Sequence, residues 1–228
     1  MLFRQFFDVE SSTYTYLLAS RPGGEALLID PVLGHAELYL RQVAELGLRL
    51  VIAADTHTHA DHITALGALR SASGCVTMMG EHTRADCVSA RFHDGESIEL
   101  DGLRLRCLYT PGHTDESFSF VGADRVFTGD VLLIRGTGRT DFQNGDARAA
   151  YDSIFNKLLR LPDQTLVYPA HDYQGCTVST IDEERRCNPR LQVASAEEYA
   201  GLMDSLHLPS PRLMDVAVPA NLRCGQAA

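Results

Sequence analysis

Thr56-His57-Thr58-His59-Ala60-Asp61-His62 places three imidazoles and one carboxylate within seven residues. An apolar run at 50–54 precedes this stretch, and apolar residues at helical spacing follow it between 63 and 69. A buried strand that delivers imidazole and carboxylate groups into a loop is typical of a metal site. The stretch therefore predicts that the fold is built around a bound metal.

Three later strands of the predicted fold end in similar residues. They run into the segments 110–113, 128–130 and 169–172, which contain His113, Asp130 and His171. A sheet holds its strand ends rigidly, so these ends are suitable places for ligands. The pattern gives seven candidate ligands: His57, His59, Asp61, His62, His113, Asp130 and His171. Four ligands close a structural zinc site, so this number favours a catalytic centre, and spacing alone predicts two metals.

The rest of the chain predicts a strand-rich protein with helices in each half. We expect strands over 2–8, 13–19, 25–30, 48–54, 75–79, 95–100, 103–109, 118–121, 125–127 and 165–168. We expect helices over 35–47, 61–73, 147–160, 179–187 and 195–206, followed by an extended tail. Asp61 is the expected N-cap of the second helix. Strand-rich halves that are each followed by helices predict an α/β protein with two face-to-face sheets and helices outside.

The composition limits the kinds of partner. The formal net charge of −10 argues against non-specific binding to nucleic acid or to an anionic membrane. No apolar run approaches the roughly 20 residues that span a bilayer. Residues 2–8 have the pattern of a strand and not of a leader. We therefore expect a cytoplasmic protein, or one whose leader has been removed.

The six cysteines are spread along the chain, and no two of them have C-x-x-C spacing. This distribution predicts reduced thiols and not a framework of disulfides. Cys224, near the C-terminus, could take part in sulfur chemistry, or it could be a buried and inert thiol.

The order H-x-H-x-D-H, P-G-H-T, T-G-D and P-A-H-D resembles the metallo-β-lactamase superfamily. That resemblance implies a four-layer αβ/βα sandwich, and we expect one such domain over 1–228 without a fused sulfurtransferase domain. A finer resemblance is to the persulfide dioxygenases, also called sulfur dioxygenases. It rests on residues 55–64, 128–142 and 168–173, and it is extended by 183–185, 188–190 and 219–225.

The finer resemblance implies a reaction and a cofactor. Persulfide dioxygenases oxidise glutathione persulfide with O₂ and water to sulfite and glutathione, and they use one non-haem Fe(II) per chain. The implied iron ligands are His57, His113 and Asp130, two imidazoles and a carboxylate. The other four candidates, His59, Asp61, His62 and His171, would then orient ligands and water.

Arginines that could bind the substrate accompany these motifs. Glutathione brings two carboxylates, which suit the planar fork of a guanidinium group. The candidates for the substrate site are Arg135, Arg139, Arg190 and Tyr173. Alternatively, the arginines only form structural ion pairs with Asp141, Asp172 or Glu184.

Two other functions fit parts of the pattern. A glyoxalase II-like thioester hydrolase with two metals would use all seven candidate ligands, although the region after 190 is short for that enzyme's helical substrate-binding domain. A non-catalytic metal-binding scaffold is the other alternative, and the large ligand set argues against it. The aromatic-rich N-terminal strand also suggests a homodimer interface, or else part of the core.

Overall fold

The computed structural model describes residues 1–209 and 213–226. The chain divides into two compact units. The first comprises residues 1–93, 97–105 and 210–228, and the second comprises 94–96 and 106–209. The prediction of a single domain without a fused sulfurtransferase domain stays a prediction.

The first unit contains a six-stranded mixed sheet in the order β1-β2-β3-β4-β5-β6. Its strands are β1 (Leu2–Asp8), β2 (Thr13–Ala19), β3 (Glu25–Ile29), β4 (Arg49–Ala54), β5 (Val76–Gly80) and β6 (Ala90–Phe92). Pairing is antiparallel from β1 to β3 and parallel from β3 to β6. Two helices accompany this sheet, α1 (Ala36–Glu45) and α2 (Leu66–Ser73).

The core of the first unit explains why these residues form a sheet. Strand β2 is buried along its whole length, and four of the five residues of β3 are buried. Such continuous apolar runs are typical of strands that are covered on both faces. Helix α1 contributes Tyr39 and Val43 to the apolar cluster, which also includes Leu28 and Leu66.

The second sheet has the order β12-β11-β10-β9-β8-β7. Its strands are β7 (Ser97–Leu100), β8 (Leu103–Tyr109), β9 (Phe118–Val121), β10 (Arg125–Gly129), β11 (Leu166–Pro169) and β12 (Ser179–Thr180). Strand β10 is antiparallel to β9 and parallel to β11. The helices of this part of the chain are α3 (Ala147–Tyr151), α4 (Ile181–Cys187) and α5 (Ala196–Asp204). They pack on a separate apolar cluster that contains Ile154, Leu158 and Tyr199.

Most of the predicted elements are confirmed, and the helix predicted over 147–160 is helical throughout. Its geometry changes along its length, because wide π turns at Asp152–Lys157 follow α3 and a tight 3-10 turn at Leu158–Arg160 follows them. The structure adds two short strands that the sequence pattern did not predict, β6 and β12, and β12 replaces the first two residues of the helix predicted over 179–187.

The predicted start of α2 at Asp61 is wrong. Helix α2 begins at Leu66, and residue 65 before it makes no side-chain cap. The Asp61 carboxylate instead accepts hydrogen bonds from the hydroxyl of Thr13 and the ring of His62. Residues 61–65 therefore form a loop, and the Asp61 carboxylate binds a histidine of the motif instead of capping a helix.

The predicted extended tail is also wrong within the part that the structure describes. Residues Met214–Asn221 form a helix, α6, with Ala217 and Asn221 buried. Pro219 and two valines within it favour extended chain in a sequence pattern, and tertiary packing outweighs that local preference. Residues 210–212 and 227–228 of this tail lie outside the described residues.

The expectation of reduced cysteines is wrong for one pair. Cys87 and Cys224 form a disulfide within the first unit, across a sequence separation of 137 residues. Spacing rules detect neighbouring cysteines, so a pair this distant gives no local signal. The thiol alternatives for Cys224 are thereby excluded in this structure. Cys75, Cys107, Cys176 and Cys187 are not part of a disulfide, as expected.

Candidate metal centre

His57 lies three residues after the end of β4, and its neighbour Thr56 fixes its tautomer. The hydroxyl of Thr56 lies 3.0 Å from Asp30 Oδ2 and 3.0 Å from His57 Nδ1. The hydroxyl has one hydrogen, and the carboxylate is its stronger acceptor, so His57 Nδ1 donates to the Thr56 oxygen. This tautomer carries its lone pair on Nε2, which is the form of imidazole that binds a metal.

Asp30 organises the start of the histidine loop from the end of β3. It is buried, it accepts the backbone N–H of Thr56 at 2.7 Å, and it lies 3.1 Å from His59 Nε2. Its backbone adopts a positive φ of 51°, which Asp tolerates better than most residues. Burial opposes a charge on His59, but Asp30, Asp55 and Asp61 outweigh it and raise the pKa of His59 to about 9.

The remaining two members of the motif lie close together. His62 Nδ1 is 2.9 Å from Asp61 Oδ2, and that oxygen also accepts from the hydroxyl of Thr13 at 3.1 Å. Ligand atoms of His59, Asp61 and His62 all lie within 4.8 Å of one another, so this group could hold a metal.

In the second unit, the strand ends bring His113, Asp130 and His171 together. His113 Nδ1 lies 2.8 Å from the carbonyl oxygen of Arg139. A carbonyl can only accept, so Nδ1 carries the hydrogen and the ring presents Nε2. His113 Nε2 lies 3.5 Å from Asp130 Oδ2.

The contact between His113 and Asp130 fits a metal ion. A ring lone pair and a carboxylate oxygen at this distance repel each other unless a cation, either a proton or a metal, lies between them. The other Asp130 oxygen accepts from His171 Nδ1 at 2.6 Å. His171 therefore orients the Asp130 carboxylate, as residues that are hydrogen-bonded to a metal-binding side chain commonly do.

Gly138 makes this arrangement sterically feasible. Its N–H donates to the Asp130 carbonyl at 2.7 Å. A Cβ at this position would lie 2.2 Å from that carbonyl oxygen and 2.8 Å from His113 Nδ1. Any larger residue would displace the backbone of Asp130 or the ring of His113. This close approach to His113 and Asp130 becomes visible only in the structure.

Two of the candidate substrate arginines form the ion pairs of the alternative interpretation. Arg135 pairs with Glu183 and with the fully buried Glu184, whose second oxygen also accepts the Arg135 N–H at 2.9 Å. Arg139 binds Asp141 through two hydrogen bonds of 2.6 and 2.8 Å. Its guanidinium also lies over the ring of Phe142, 4.3 Å from the centroid.

Arg190 and Tyr173 have different surroundings. The guanidinium of Arg190 donates to the carbonyl and hydroxyl oxygens of Thr137, and burial lowers its pKa. Among the described residues, no carboxylate forms an ion pair with Arg190. Tyr173 is 71 % exposed, and its ring is parallel to that of His171 with 6.1 Å between the centroids. Arg190 therefore differs from Arg135 and Arg139, because no carboxylate of the described residues neutralises its charge.

The sequence pattern also missed the contribution of the C-terminal helix. Asn221 is buried at the end of α6 and makes hydrogen bonds to the backbone of His59, His62 and Thr64. An asparagine in a tail predicted to be extended gives no sign of such contacts.

Comparison with known families places this fold and its imidazole clusters in one class. The profile of the Metallo-beta-lactamase superfamily matches residues 9–171, which is most of the chain and includes every candidate ligand. The predicted αβ/βα fold class is thus confirmed.

In the segments 1–209 and 213–226, none of the helices has the length and apolarity needed to cross a membrane.

More specific relatives share about half of the sequence. The chain is 51% identical to "Persulfide dioxygenase ETHE1, mitochondrial" of Bos taurus and 49% identical to that of Homo sapiens, over 99% of this chain and 89% of each relative. The crystal structure of ETHE1 from Myxococcus xanthus is 52% identical, with a TM-score of 0.96, and the match covers 99% of this chain and 100% of that one. The chain therefore belongs to the persulfide dioxygenase family of the metallo-β-lactamase superfamily.

Proposed function

We propose that the chain is an iron-dependent persulfide dioxygenase. In the reaction, glutathione persulfide, O₂ and water give glutathione, sulfite and two protons, so the outer sulfur gains three oxygen atoms. The observation that carries this proposal is the identity of about half of all residues with persulfide dioxygenases along nearly the whole chain.

The proposed iron ligands are His57, His113 and Asp130. Two imidazoles and one carboxylate are the donor set that non-haem Fe(II) oxygenases use, and they leave positions open where the persulfide and O₂ meet. The chain prepares these ligands before any metal binds. Thr56 and the Arg139 carbonyl hold the two imidazoles in the tautomer with Nε2 as donor, and His171 holds the Asp130 carboxylate.

We assign recognition of glutathione to Arg190 and Tyr173. Arg190 has a half-buried guanidinium without a carboxylate partner in the described part of the chain, so a carboxylate of glutathione would supply the missing anion. Arg135 already forms an ion pair with the buried Glu184, and Arg139 already forms one with Asp141. We therefore propose that those two arginines maintain the conformation of the loop formed by residues 135–142.

Anaerobic mixing followed by admission of O₂ tests the proposed reaction. Iron-loaded protein and glutathione persulfide should take up O₂ and release sulfite in equal amounts. Metal-free protein is the control and should take up no O₂. Absence of O₂ uptake by protein with a full complement of iron would refute the proposal.

The second candidate is a glyoxalase II-like thioester hydrolase with a dinuclear site. The observation in its favour is the group His59, Asp61 and His62, whose ligand atoms lie close enough together to hold a further metal. This function requires two Zn or Fe ions per chain and cleavage of a glutathione thioester. The names of the relatives that share half of the sequence support the dioxygenase instead.

Three expectations about the setting of the protein remain predictions. They are a homodimer, a cytoplasmic location and the absence of nucleic-acid and membrane partners. The mammalian relatives carry the word mitochondrial in their names, so location can differ among members of the family.

A further inference from the structure

The end of helix α6 lies against the histidine loop of the first unit. Asn221 is 1% exposed, and its side-chain oxygen accepts the backbone N–H of Thr64 at 2.9 Å. Its amide nitrogen donates to the carbonyl oxygen of His59 at 2.8 Å and to that of His62 at 2.9 Å. One side chain thus fixes three peptide groups of a loop that lies 157 or more residues earlier in the chain.

This set of contacts is specific for an asparagine. An amide side chain has one acceptor oxygen and two N–H donors, and the loop offers one N–H and two carbonyl oxygens. Aspartate would place an acceptor against two carbonyl oxygens, and a hydroxyl side chain has only one hydrogen to donate. Buried polar groups that lose their partners cost free energy, so the loop depends on this particular side chain.

The segment that follows Asn221 approaches the same loop closely. The Cys224 carbonyl accepts the N–H of Gly67 at 2.9 Å. Gly225 has a positive φ of 77°, and a Cβ there would lie 2.0 Å from the Thr64 carbonyl oxygen. The disulfide between Cys87 and Cys224 attaches this segment to the rest of the first unit.

The loop itself has little regular structure that could hold its shape. Residues 57–65 lie between β4 and α2, outside both elements. The side chains of His59, Asp61 and His62 are nevertheless packed together, so the path of their backbone must be fixed by contacts from elsewhere. Two carbonyl groups held by one buried amide provide such a constraint.

We propose that Asn221 is a positioning residue for the metal centre, acting through the backbone of residues 59–64. It sets the directions of the imidazoles and carboxylate in this loop without contacting metal or substrate. The inference rests on the proposed function to the extent that this loop supports a bound Fe(II). Residues that support ligands from outside the coordination shell typically affect metal affinity by about 10- to 100-fold.

The test compares the wild type with Asn221→Asp, Asn221→Ser and Leu222→Ala. Leu222 packs against the apolar core beside the same helix, so its truncation loosens the tail without touching the amide. Fe(II) affinity is measured anaerobically by competition with a chelator. Hydrogen exchange of the amides in 59–66 and the visible spectrum of the Co(II)-loaded protein report the shape of the loop and of the site.

We expect Asn221→Asp to bind Fe(II) about 10- to 100-fold more weakly, to exchange the amides of 59–66 faster and to change the Co(II) spectrum. Asn221→Ser should show a smaller effect of the same kind, and it replaces the Asp variant if that variant does not fold. Leu222→Ala should keep Fe(II) affinity and the Co(II) spectrum near those of the wild type, although its thermal stability is lower.

Two results would overturn the inference. One is a folded Asn221 variant with wild-type Fe(II) affinity and Co(II) spectrum. The other is a loss of Fe(II) affinity in Leu222→Ala as large as that in the Asn221 variants, which would show that Asn221 only docks the tail. Wild-type protein that binds no Fe(II) would overturn the inference and the proposed function together. Wild-type protein that binds Fe(II) but does not oxidise persulfide would refute only the proposed function.

Discussion

The histidine loop of the first unit and the strand ends of the second unit use similar residues in different ways. In the loop, His59 and His62 are each adjacent to a carboxylate, of Asp30 and Asp61 respectively. In the second unit, a backbone carbonyl fixes His113, and its other nitrogen faces Asp130. The number of histidines in a dense motif therefore does not give the number of metal ligands. An imidazole that is hydrogen-bonded to a carboxylate can instead hold neighbouring side chains in position.

The largest expected effect separates Asp130 from His62. Asp130→Ala removes the proposed carboxylate ligand, so the protein should retain no iron and lose at least about a thousandfold in activity. His62→Ala should still be purified with one iron per chain, because loss of a residue that supports the loop weakens metal binding about 10- to 100-fold without abolishing it. Metal analysis of the two purified variants, together with O₂ uptake, measures both effects. If the wild type contained two metal ions per chain and His62→Ala lost one of them, the proposed difference between the two regions would be contradicted.

The next effect concerns the close approach of Gly138 to His113 and Asp130, the proposed ligands in the second unit. In Gly138→Ala the added Cβ collides with the Asp130 carbonyl and the His113 ring, so Fe(II) affinity should fall about 10- to 100-fold. Gly136→Ala is a matched control in the same loop, because the nearest atom to its Cβ is 3.8 Å away. Chelator competition compares the two variants. Equal affinities would show that the loop adapts and that Gly138 is not required.

A smaller effect is expected at the proposed substrate site. Arg190→Ala should raise KM for glutathione persulfide about tenfold with kcat nearly unchanged, because a charge-assisted hydrogen bond to a carboxylate contributes roughly 1.5–3 kcal/mol at most. Arg139→Ala, which breaks an existing pair with Asp141, is the comparison. Steady-state kinetics with both variants distinguishes recognition from loop structure. A higher KM in Arg139→Ala than in Arg190→Ala would reverse the assignment.

The smallest effect tests the support given to His57. Asp30→Asn keeps one carbonyl oxygen for the Thr56 N–H but removes the carboxylate charge that accepts the Thr56 hydroxyl. The tautomer of His57 should be held less firmly, and Fe(II) affinity should fall by less than about tenfold, because Asp30 acts on His57 only through Thr56. A Thr56→Val variant removes the hydroxyl itself and should behave alike. Unchanged affinity in both would show that His57 needs no orienting partner.

Much of the candidate site could be predicted from the sequence because its residues follow strands, and strands give strong periodic signals. His57, Asp130 and His171 each follow a strand whose position the apolar pattern predicted. The loops and the tail could not be predicted in the same way. Asp61 resembles a helix N-cap, and only the packed structure shows its carboxylate bound to Thr13 and His62.

Long-range pairings were the other limit. The bond between Cys87 and Cys224 and the contacts of Asn221 join segments that lie far apart in the chain. Local propensity and spacing carry no information about such pairs. Glu184 was among the carboxylates expected to pair with the arginines, and the packing of α4 beside the loop shows that its partner is Arg135.

The number and identity of metal ions in protein purified without added metal test the central claim most directly. We expect one iron per chain, retained by His62→Ala and lost from Asp130→Ala. Two metal ions per chain, with one lost from His62→Ala, would contradict it and would favour a dinuclear hydrolase.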